Sequence, residues 1–423
     1  MKTLRTKKEI SSFIDLLKRR AGGASPEIIR RVEKILNDVR KKGDRAVIEY
    51  TERFDGFRPK SLRIPPSAIK RHASAVDKKV LAALRLSEKR IRRFHARQKE
   101  SSWTVREEGI TLGQIIRPLE RVGVYVPGGK ASYPSTVLMN VIPAQVAGVK
   151  EIALTVPTPK GEVNPSVMAV IELLGVKEVY AVGGAQAVAA LAYGTESIRR
   201  VDKIAGPGNI YVAAAKRMVF GDVDIDMIAG PSEILIIADD TARPDFIASD
   251  LLSQAEHDEL ASPVLVTDSE RIAADVRREL MVRLNSLRRR DIAAASLKNY
   301  GAVILVKDMA GAVEISNTIA PEHLELMVKN PKRLLPMIKN AGAIFLGSWS
   351  PETVGDYSAG PNHTLPTGGT ARFSSPLGVY DFIKRSSLLE FTKKGFMRLA
   401  KAVETIADAE GLEAHANAAR VRK

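Results

Sequence analysis

The sequence of 423 residues predicts an α/β protein that contains two parallel-sheet units in succession. Short apolar runs end at Gly or Pro, and a helix-like segment follows each of them. This alternation is typical of parallel βαβ units. The runs of the first unit are "RVGVYV" (121–126), "EIALTVP" (151–157), "EVYAVGG" (178–184) and "DKIAGPG" (202–208).

A second series of the same kind begins at "SEILIIAD" (232–239). A helix through "DFIASDLLSQAEH" is predicted next, and the later strands are "SPVLVTD", "AVILVKD", "HLELMV" and "GAIFLG". The Ser/Pro/Gly-rich segment 347–369 that follows is too long for an ordinary loop, so it is either a site or a linker. The last 40 residues are predicted to be helical, with Gly411 dividing them.

Composition restricts the chemistry. The chain has no cysteine, which excludes a disulfide scaffold, a thiolate zinc site and a thiol nucleophile. Any metal must therefore be held by nitrogen and oxygen. The charged start "MKTLRTKKEI" does not resemble a signal peptide and no apolar run approaches a membrane span, so we expect a soluble, cytoplasmic protein.

The net charge of +16 originates in the first 120 residues, which hold 31 Lys and Arg against 15 Asp and Glu. A basic region of this kind raises the alternative of a nucleic-acid binder. The stretch "SEKRIRRFHARQKE" (87–100) has the sparse apolar pattern of a surface helix, and no nucleic-acid-binding motif accompanies it. We therefore favour a solvated helix, with His72 and His95 as ordinary surface residues.

Glycine-rich turns follow three of the predicted strands, at "PGG" (127–129), "GGAQ" (183–186) and "GPGN" (206–209). Such turns at the carboxyl ends of parallel strands form a crevice that suits a nucleotide. The G-x-G-x-x-G fingerprint of dinucleotide-binding units is absent. The units are thus Rossmann-like without the fingerprint, and a nucleotide is compatible with them.

Four histidines lie beside acids or amides. In "DLLSQAEHDEL" (250–260), Gln254 and His257 are spaced i,i+3, which on a helix presents two metal ligands from one side. A solvated acidic face is the alternative. Three further stretches are "APEHLELM" with Glu322 and His323, "GDYSAGPNH" with Asp356 and His363, and "AEGLEAH" with Glu410 and His415. A set of Gln254, His257, Asp356 and His415 would suit Zn²⁺ or Mn²⁺, and two imidazoles favour zinc.

Long motifs resemble the histidinol dehydrogenase family, densely over about residues 110–423 and loosely before. They include "RVGVYVPGGKASYPSTVLMNVIPAQVAGV", "GGAQAVAALAYGTE", "KIAGPGNIYVAAAKR", "DMIAGPSEILIIAD", "DLLSQAEHD", "APEHLE", "VGDYSAGPNHTLPTGGTARFSSPLGVYDFIK" and "AEGLEAHANA".

The resemblance implies a zinc-dependent and NAD-dependent enzyme that oxidises L-histidinol to L-histidine through the aldehyde. By position, it implies Glu322 and His323 as the catalytic acid/base pair, and one zinc ion per subunit. The implied zinc ligands are Gln254, His257, Asp356 and His415. The implied substrate contacts are Ser232, Gln254, His257, His323, Asp356, His363, Glu410 and His415, and the implied NAD contacts are Tyr125, Gln186 and Asn209.

The resemblance also implies a homodimer in which the C-terminal segment completes the partner's site, with no nucleic-acid or membrane partner. The expected domains are an N-terminal helical segment (1–24), a first α/β domain carrying the metal and catalytic residues (25–124 and 233–377), an NAD-binding α/β domain (125–232) and a C-terminal segment (378–423).

For the chemistry, we expect His323 to take the alcohol proton and Glu322 to activate the water that hydrates the aldehyde, since no thiol is present. We expect the metal to anchor the substrate's amine and imidazole. A metallohydrolase with the same metal ligands is the other alternative, and it would turn over without NAD.

Overall fold

The computed structural model describes residues 1–128 and 133–423, so Gly129 of the predicted "PGG" turn lies outside the described residues. Its strands, in chain order, are β1 (Lys2–Leu4), β2 (Trp103–Glu107), β3 (Ile110–Pro118), β4 (Arg121–Tyr125), β5 (Glu151–Thr155), β6 (Glu178–Tyr180), β7 (Lys203–Ala205), β8 (Asp224–Ile225), β9 (Glu233–Ala238), β10 (Ser262–Thr267), β11 (Ala302–Leu305), β12 (His323–Met327), β13 (Ala343–Leu346) and β14 (Ile383–Phe391).

The α-helices are α1 (Lys7–Ala21), α2 (Pro26–Lys42), α3 (Asp44–Asp55), α4 (Pro66–Ala73), α5 (Lys78–His95), α6 (Pro134–Ala147), α7 (Pro165–Leu173), α8 (Gly184–Tyr193), α9 (Ile210–Val219), α10 (Pro244–Ala255), α11 (Glu270–Leu284), α12 (Arg290–Asn299), α13 (Met309–Ile319), α14 (Pro331–Leu334), α15 (Glu352–Tyr357), α16 (Lys393–Ala409) and α17 (Glu413–Arg420). Among the described residues, none of these helices combines the length and apolar character that a membrane span requires.

Two parallel sheets form the body of the protein, which confirms the predicted fold class. The first has six strands in the order β1-β11-β10-β9-β12-β13, and the second has five in the order β6-β5-β4-β7-β8. All pairings in both sheets are parallel. Helices cover them, so every residue of β9 and β10 is buried.

A third, antiparallel sheet in the order β14-β3-β2 carries the C-terminal helices α16 and α17. The prediction that the last 40 residues are helical is therefore wrong for the residues in β14 (Ile383–Phe391), whereas α16 and α17 follow it. Its sequence "IKRSSLLEF" is mostly exposed and lacks the strict alternation that marks a half-buried strand. Gly411 does separate two helices, with a left-handed φ of 72°.

The N-terminal residues are distributed differently from the predicted domains. Strand β1 is an edge strand of the six-stranded sheet, and Phe13 and Leu17 of α1 pack in the core of that sheet. Helices α2 and α3 instead pack on the five-stranded sheet, where Val32 and Val47 share a core with Tyr125. The predicted grouping of 25–124 with 233–377 is thus wrong for these helices, because their apolar faces are buried against the other unit.

His95 also differs from its prediction as a surface residue. It is 0% exposed, and its Nδ1 lies 2.7 Å from Oε1 of Gln98. Burial lowers the pKa of the imidazole. The pattern of α5 shows a basic outer face, but one side of the helix end packs inward.

Candidate active site between two sheet edges

The predicted catalytic pair lies at the amino-terminal edge of the six-stranded sheet. Glu322 immediately precedes β12, and His323 is the first residue of that strand, in register with Ile234 of β9 and Ala343 of β13. The preceding turn includes Ala320, whose φ of 54° is rare for a residue with a side chain. This strained turn ends α13 and delivers both side chains into the interior, where Glu322 is 7% and His323 3% exposed.

The main chain of Glu233 fixes the two catalytic candidates. The amide of Glu233 donates to Oε2 of Glu322 at 2.9 Å, and its carbonyl oxygen lies 2.9 Å from Nδ1 of His323. A carbonyl oxygen only accepts, so Nδ1 carries a hydrogen and Nε2 is left as the basic nitrogen of the neutral ring. This Nε2 is buried, has no hydrogen-bond partner in residues 1–128 and 133–423, and lies 3.7 Å from Oδ1 of Asp356.

Burial and charge shift the acid/base properties of this pair. Burial raises the pKa of the Glu322 carboxyl to about 8, so this group exchanges a proton near neutral pH. Burial acts to lower the pKa of His323, but the carboxylates of Glu322, Glu352 and Asp356 outweigh it and hold the pKa above its usual range. Both residues are therefore suited to proton transfer.

Two of the predicted metal ligands lie at the end of α10. Gln254 is 1% exposed, but the helix ends at Ala255, so His257 lies in the following turn rather than on the helix as predicted. The amide of His257 donates to the carbonyl of Gln254 at 3.2 Å, which keeps the residues adjacent. Burial lowers the pKa of His257, and a neutral imidazole is the form that binds a metal.

The segment 347–369 contributes a further ligand candidate and borders the candidate site. It contains the short helix α15, which carries the buried Glu352 and, one turn later, Asp356. Burial acts to raise the pKa of Asp356, but the neighbouring imidazoles of His323, His363 and His257 outweigh it and lower the pKa. Asp356 is therefore ionised beside His323 and His257.

Two of the remaining predicted substrate contacts border the same space. His363 donates from Nδ1 to the carbonyl of Asp356 at 3.0 Å, while its Nε2 lies 3.4 Å from Oγ1 of Thr136. Ser232 directly precedes Glu233, the residue whose main chain fixes the catalytic pair. The structure thus brings together Ser232, Gln254, His257, Glu322, His323, Asp356 and His363.

Three acids that the sequence analysis did not single out also belong to this cluster: Glu233, Glu325 and Glu352. Glu233 forms a buried ion pair with Arg20 of α1, and Glu325 accepts from the amide of Glu352 at 2.7 Å. In the sequence, Glu233 and Glu325 interrupt apolar stretches, and Glu352 lies in a segment without an apolar pattern. For Glu233 and Glu325 the available signal is a carboxylate inside a predicted buried strand, which is rare unless the group is paired.

The predicted cofactor contacts lie at the carboxyl edge of the five-stranded sheet. Tyr125 ends β4, is 3% exposed, and accepts at its hydroxyl from the amide of Gly184 at 3.1 Å. Gln186 lies in the first turn of α8, and its Oε1 is buried without a hydrogen-bond partner. Asn209 caps α9 by accepting from the amides of Tyr211 and Val212 at 3.0 and 3.2 Å.

The backbone at this edge is closely packed at two glycines. A Cβ on Gly183 would lie 2.6 Å from Pro157, and a Cβ on Gly206 would lie 2.2 Å from the carbonyl oxygen of Tyr125. The turn at Gly206 is also held by a buried ion pair, since Lys216 donates to the carbonyl of Gly206 at 2.9 Å and contacts Asp226. The close packing of these turns therefore requires glycine at both positions.

Helix α6 joins the two edges. It begins near the carboxyl edge of the five-stranded sheet and contacts the loop that carries His363. Asn362 donates to the carbonyl of Met139 at 2.6 Å, and Asn140 donates to Oγ1 of Thr364 at 3.4 Å. Helix α6 thus connects the unit of the five-stranded sheet to the loop that carries His363.

Glu410 and His415 are not part of this cluster within the chain. Both are exposed, Glu410 at the end of α16 and His415 on α17. These helices pack on each other and beside the antiparallel sheet.

The fold and this site define an α/β enzyme in which a buried imidazole and carboxylates face the edge of a second parallel sheet. The histidinol dehydrogenase family model matches residues 18–423. Histidinol dehydrogenase from Aquifex aeolicus (strain VF5) is 55% identical over 417 residues, covering 98% of this chain and 97% of the relative. That from Syntrophotalea carbinolica is 56% identical over 405 residues, covering 95% and 94%.

The crystal structure of histidinol dehydrogenase from Elizabethkingia anophelis is similar along the full length, with a TM-score of 0.94 at 38% identity and coverage of 100% of this chain and 98% of the other. The chain belongs to the histidinol dehydrogenase family and is an oxidoreductase. The match also extends through most of the first 110 residues, which the motifs alone linked only loosely to the family.

Proposed function

We propose that this chain oxidises L-histidinol to L-histidine through the aldehyde, with NAD as oxidant and one zinc ion per subunit, as the last step of histidine biosynthesis. The observation that carries the proposal is the fixed orientation of His323. Its Nδ1 donates to the carbonyl of Glu233, and its Nε2 is buried without a partner beside Asp356. A base held in this way suits removal of a hydroxyl proton.

The donor atoms present fit a zinc ion. Gln254 offers a buried amide oxygen, burial keeps His257 neutral, and Asp356 is ionised. Oxygen and imidazole ligands of this kind suit Zn²⁺. Zinc, when bound, would anchor the amine and imidazole of the substrate and hold its reactive carbon in place. Zinc rather than Mn²⁺ is part of the proposal.

The carboxyl edge of the five-stranded sheet fits NAD. Among the described residues, Gln186 Oε1 and the hydroxyls of Thr155 and Thr158 are buried without hydrogen-bond partners, and a bound ligand could supply those partners. Tyr125 and Asn209 border the same edge. NAD, when bound here, would take up a hydride in each of the two oxidations.

The residues of the chain divide the proton transfers between them. In the first oxidation, Nε2 of His323 takes the hydroxyl proton as the carbon loses hydride. The aldehyde must then gain water before it can be oxidised again, and Glu322, with a pKa of about 8, takes a proton from that water. As the water adds, His323 returns its first proton to the carbonyl oxygen, and the neutral ring then removes a hydroxyl proton of the resulting diol in the second oxidation. The pKa of His323 would fall to the range of a general base when a cation offsets the charge of Asp356.

We also propose that the chain acts as a homodimer and that Glu410 and His415 complete the partner's site. Both side chains are exposed, on helices that also expose apolar residues. Ile406 is 60% and Leu412 43% exposed, and the adjoining sheet exposes Leu389 at 64%. Such an apolar surface favours an interface. The cytoplasmic location, the absence of nucleic-acid and membrane partners and the remaining domain boundaries stay predictions.

A spectrophotometric assay tests the reaction. The purified protein should form two NADH for each L-histidinol consumed, and metal analysis should give one zinc per chain. One NADH per histidinol with aldehyde accumulating would contradict the two-step mechanism. Turnover of an ester or amide without NAD would instead support a metallohydrolase.

A further inference from the structure

Glu352 is the most enclosed carboxylate next to a proposed metal ligand. It is the first residue of α15 and is 1% exposed. Its two oxygens face donors from α10. The side-chain amide of Gln254 approaches Oε1 to 2.8 Å and Oε2 to 3.1 Å, and because an ionised carboxylate only accepts hydrogen bonds, we assign the approaching atom as the amide nitrogen. The hydroxyl of Ser253 lies 3.1 Å from Oε2. The carboxylate is therefore occupied by the segment that carries Gln254.

This contact decides which way the Gln254 amide points. A carboxylate only accepts hydrogen bonds, so the amide must turn its nitrogen toward Glu352 and its oxygen to the opposite side. Only the amide oxygen has a lone pair suited to a cation. Without Glu352, rotation of the amide by half a turn would present hydrogens to the metal instead.

The same short helix links two ligands. Asp356 follows Glu352 by four residues, so both side chains project from one side of α15. The helix start is held to β12, because the amide of Glu352 donates to Oε1 of Glu325 at 2.7 Å. Asp356 and the orientation of Gln254 consequently depend on one rigid element.

A direct role for Glu352 as a metal ligand is the competing explanation. One ligand atom each from His323, Glu352 and Asp356 lie within 4.8 Å of one another. Both oxygens of Glu352, however, already accept from Gln254, and one also from Ser253. This arrangement favours action through Gln254.

We propose that Glu352 is a positioning residue that fixes the Gln254 amide with its oxygen toward the metal. This inference rests on the proposed function, in which Gln254 is a zinc ligand. In this arrangement Glu352 does not bind the metal itself but determines that the oxygen of Gln254, rather than its nitrogen, faces the metal.

The test measures zinc affinity of the metal-free protein by competition with a chromophoric chelator. Glu352→Gln keeps the size of the side chain but removes the charge and one acceptor, and zinc affinity should fall about 10- to 100-fold. The matched control is Glu178→Gln, a partly buried acid in β6 of the five-stranded sheet that pairs with Arg121 and does not contact Gln254. It should bind zinc nearly as the original protein does.

A double-mutant cycle separates positioning from direct ligation. In a Gln254→Ala background, Glu352→Gln should change zinc affinity by less than about twofold, because no amide remains to be oriented. A further loss as large as that in the original background would show that Glu352 contacts the metal directly and would overturn the proposal. The KM for histidinol should rise in Glu352→Gln while that for NAD stays the same.

A variant in which the residues at positions 254 and 352 are exchanged provides a second test if Glu352→Gln folds poorly. In Gln254→Glu/Glu352→Gln, either carboxylate oxygen at position 254 can face the metal, and the amide at 352 donates to the other. This variant should bind zinc more tightly than Glu352→Gln alone, and equal or weaker binding would refute the proposal. If the original protein binds no zinc, the proposed function itself fails; if it binds zinc and Glu352→Gln binds equally well, only the positioning role fails.

Discussion

Replacing Lys216 with Met should destabilise the five-stranded unit and loosen the turn at Gly206. The side chains of Lys216 and Asp226 are 2% and 0% exposed and form an ion pair, and Lys216 also donates to the carbonyl of Gly206. Removing one member of a buried pair leaves a charge without its partner, which costs about 3–5 kcal/mol. Asp226 would still accept from the amides of Gly206 and Met227, at 2.7 and 2.6 Å, so we expect about 3 kcal/mol, the lower end of that range.

The assay is urea unfolding followed by circular dichroism. With an m value of about 3 kcal/mol/M, the midpoint should fall by about 1 M. Peptides covering 203–227 should also exchange amide hydrogens faster, because the ion pair holds this turn. Under the proposed function, the KM for NAD should rise and zinc affinity should not change.

Two variants make the reasoning refutable. Lys203→Met removes a lysine from the same sheet, but its partner Asp224 is 51% exposed and regains water, so the loss should be below about 1 kcal/mol. Adding Asp226→Asn to Lys216→Met removes the orphaned charge and should recover part of the stability. Equal midpoints for the two lysine variants, or no recovery in the double variant, would show that the buried pair is not responsible.

Three further predictions use other parts of the site. Glu322→Gln should slow oxidation of added histidinal about 100-fold or more, and that of histidinol to the aldehyde much less; equal losses would contradict its role in hydrating the aldehyde. Gly206→Ala should lower the free energy of unfolding by more than about 2 kcal/mol, since φ is 115° and the added Cβ meets the backbone of Tyr125. Gly56→Ala is the control: φ is 67° but the space around the Cβ is open, so the loss should be about 1 kcal/mol in the same urea titration. Ile406→Glu should shift the protein toward monomer in light scattering and reduce activity with it, while Val282→Glu, on an equally exposed site of α11, should do neither; a fully active monomer would refute the shared site.

The parallel strands could be predicted from the sequence because strands that are buried on both faces consist mainly of apolar residues. "SEILIIAD" and "SPVLVTD" are continuous apolar runs bounded by polar residues, and both form fully buried strands. Such a pattern is independent of distant partners. The alternation of these runs with helices was likewise enough to predict two parallel sheets.

Other features depend on which surfaces meet, and a linear pattern does not contain that information. The apolar stripe of α2 shows that Val32 is buried, but not that it packs on the five-stranded sheet rather than the six-stranded one. Strand β14 has little burial to reveal it. The turn after Ala255 also cannot be seen from spacing, because i,i+3 residues suit a helix and a helix end equally.

The candidate site shows the same division between residue type and placement. Family motifs point to the imidazoles and to Asp356 and Glu322, since these groups are chemically distinctive. Glu352 carries no such mark, because its importance comes from contact with Gln254 across two helices. His415 is the opposite case: its motif is clear, but a single chain leaves it exposed.

The arrangement of the two edges bears on how a single site could perform two oxidations. The acid/base residues and metal-ligand candidates are built on the amino edge of the six-stranded sheet and on α10 and α15, whereas the cofactor candidates are built on the carboxyl edge of the five-stranded sheet. Under the proposed function, these separate supports would allow a spent cofactor to leave one edge while the substrate stays fixed at the other. The contacts between α6 and the loop of His363 that link these edges include the hydrogen bonds of Asn362 to Met139 and of Asn140 to Thr364. In the proposed reaction, this separation is what lets one bound aldehyde meet a second NAD without leaving the site.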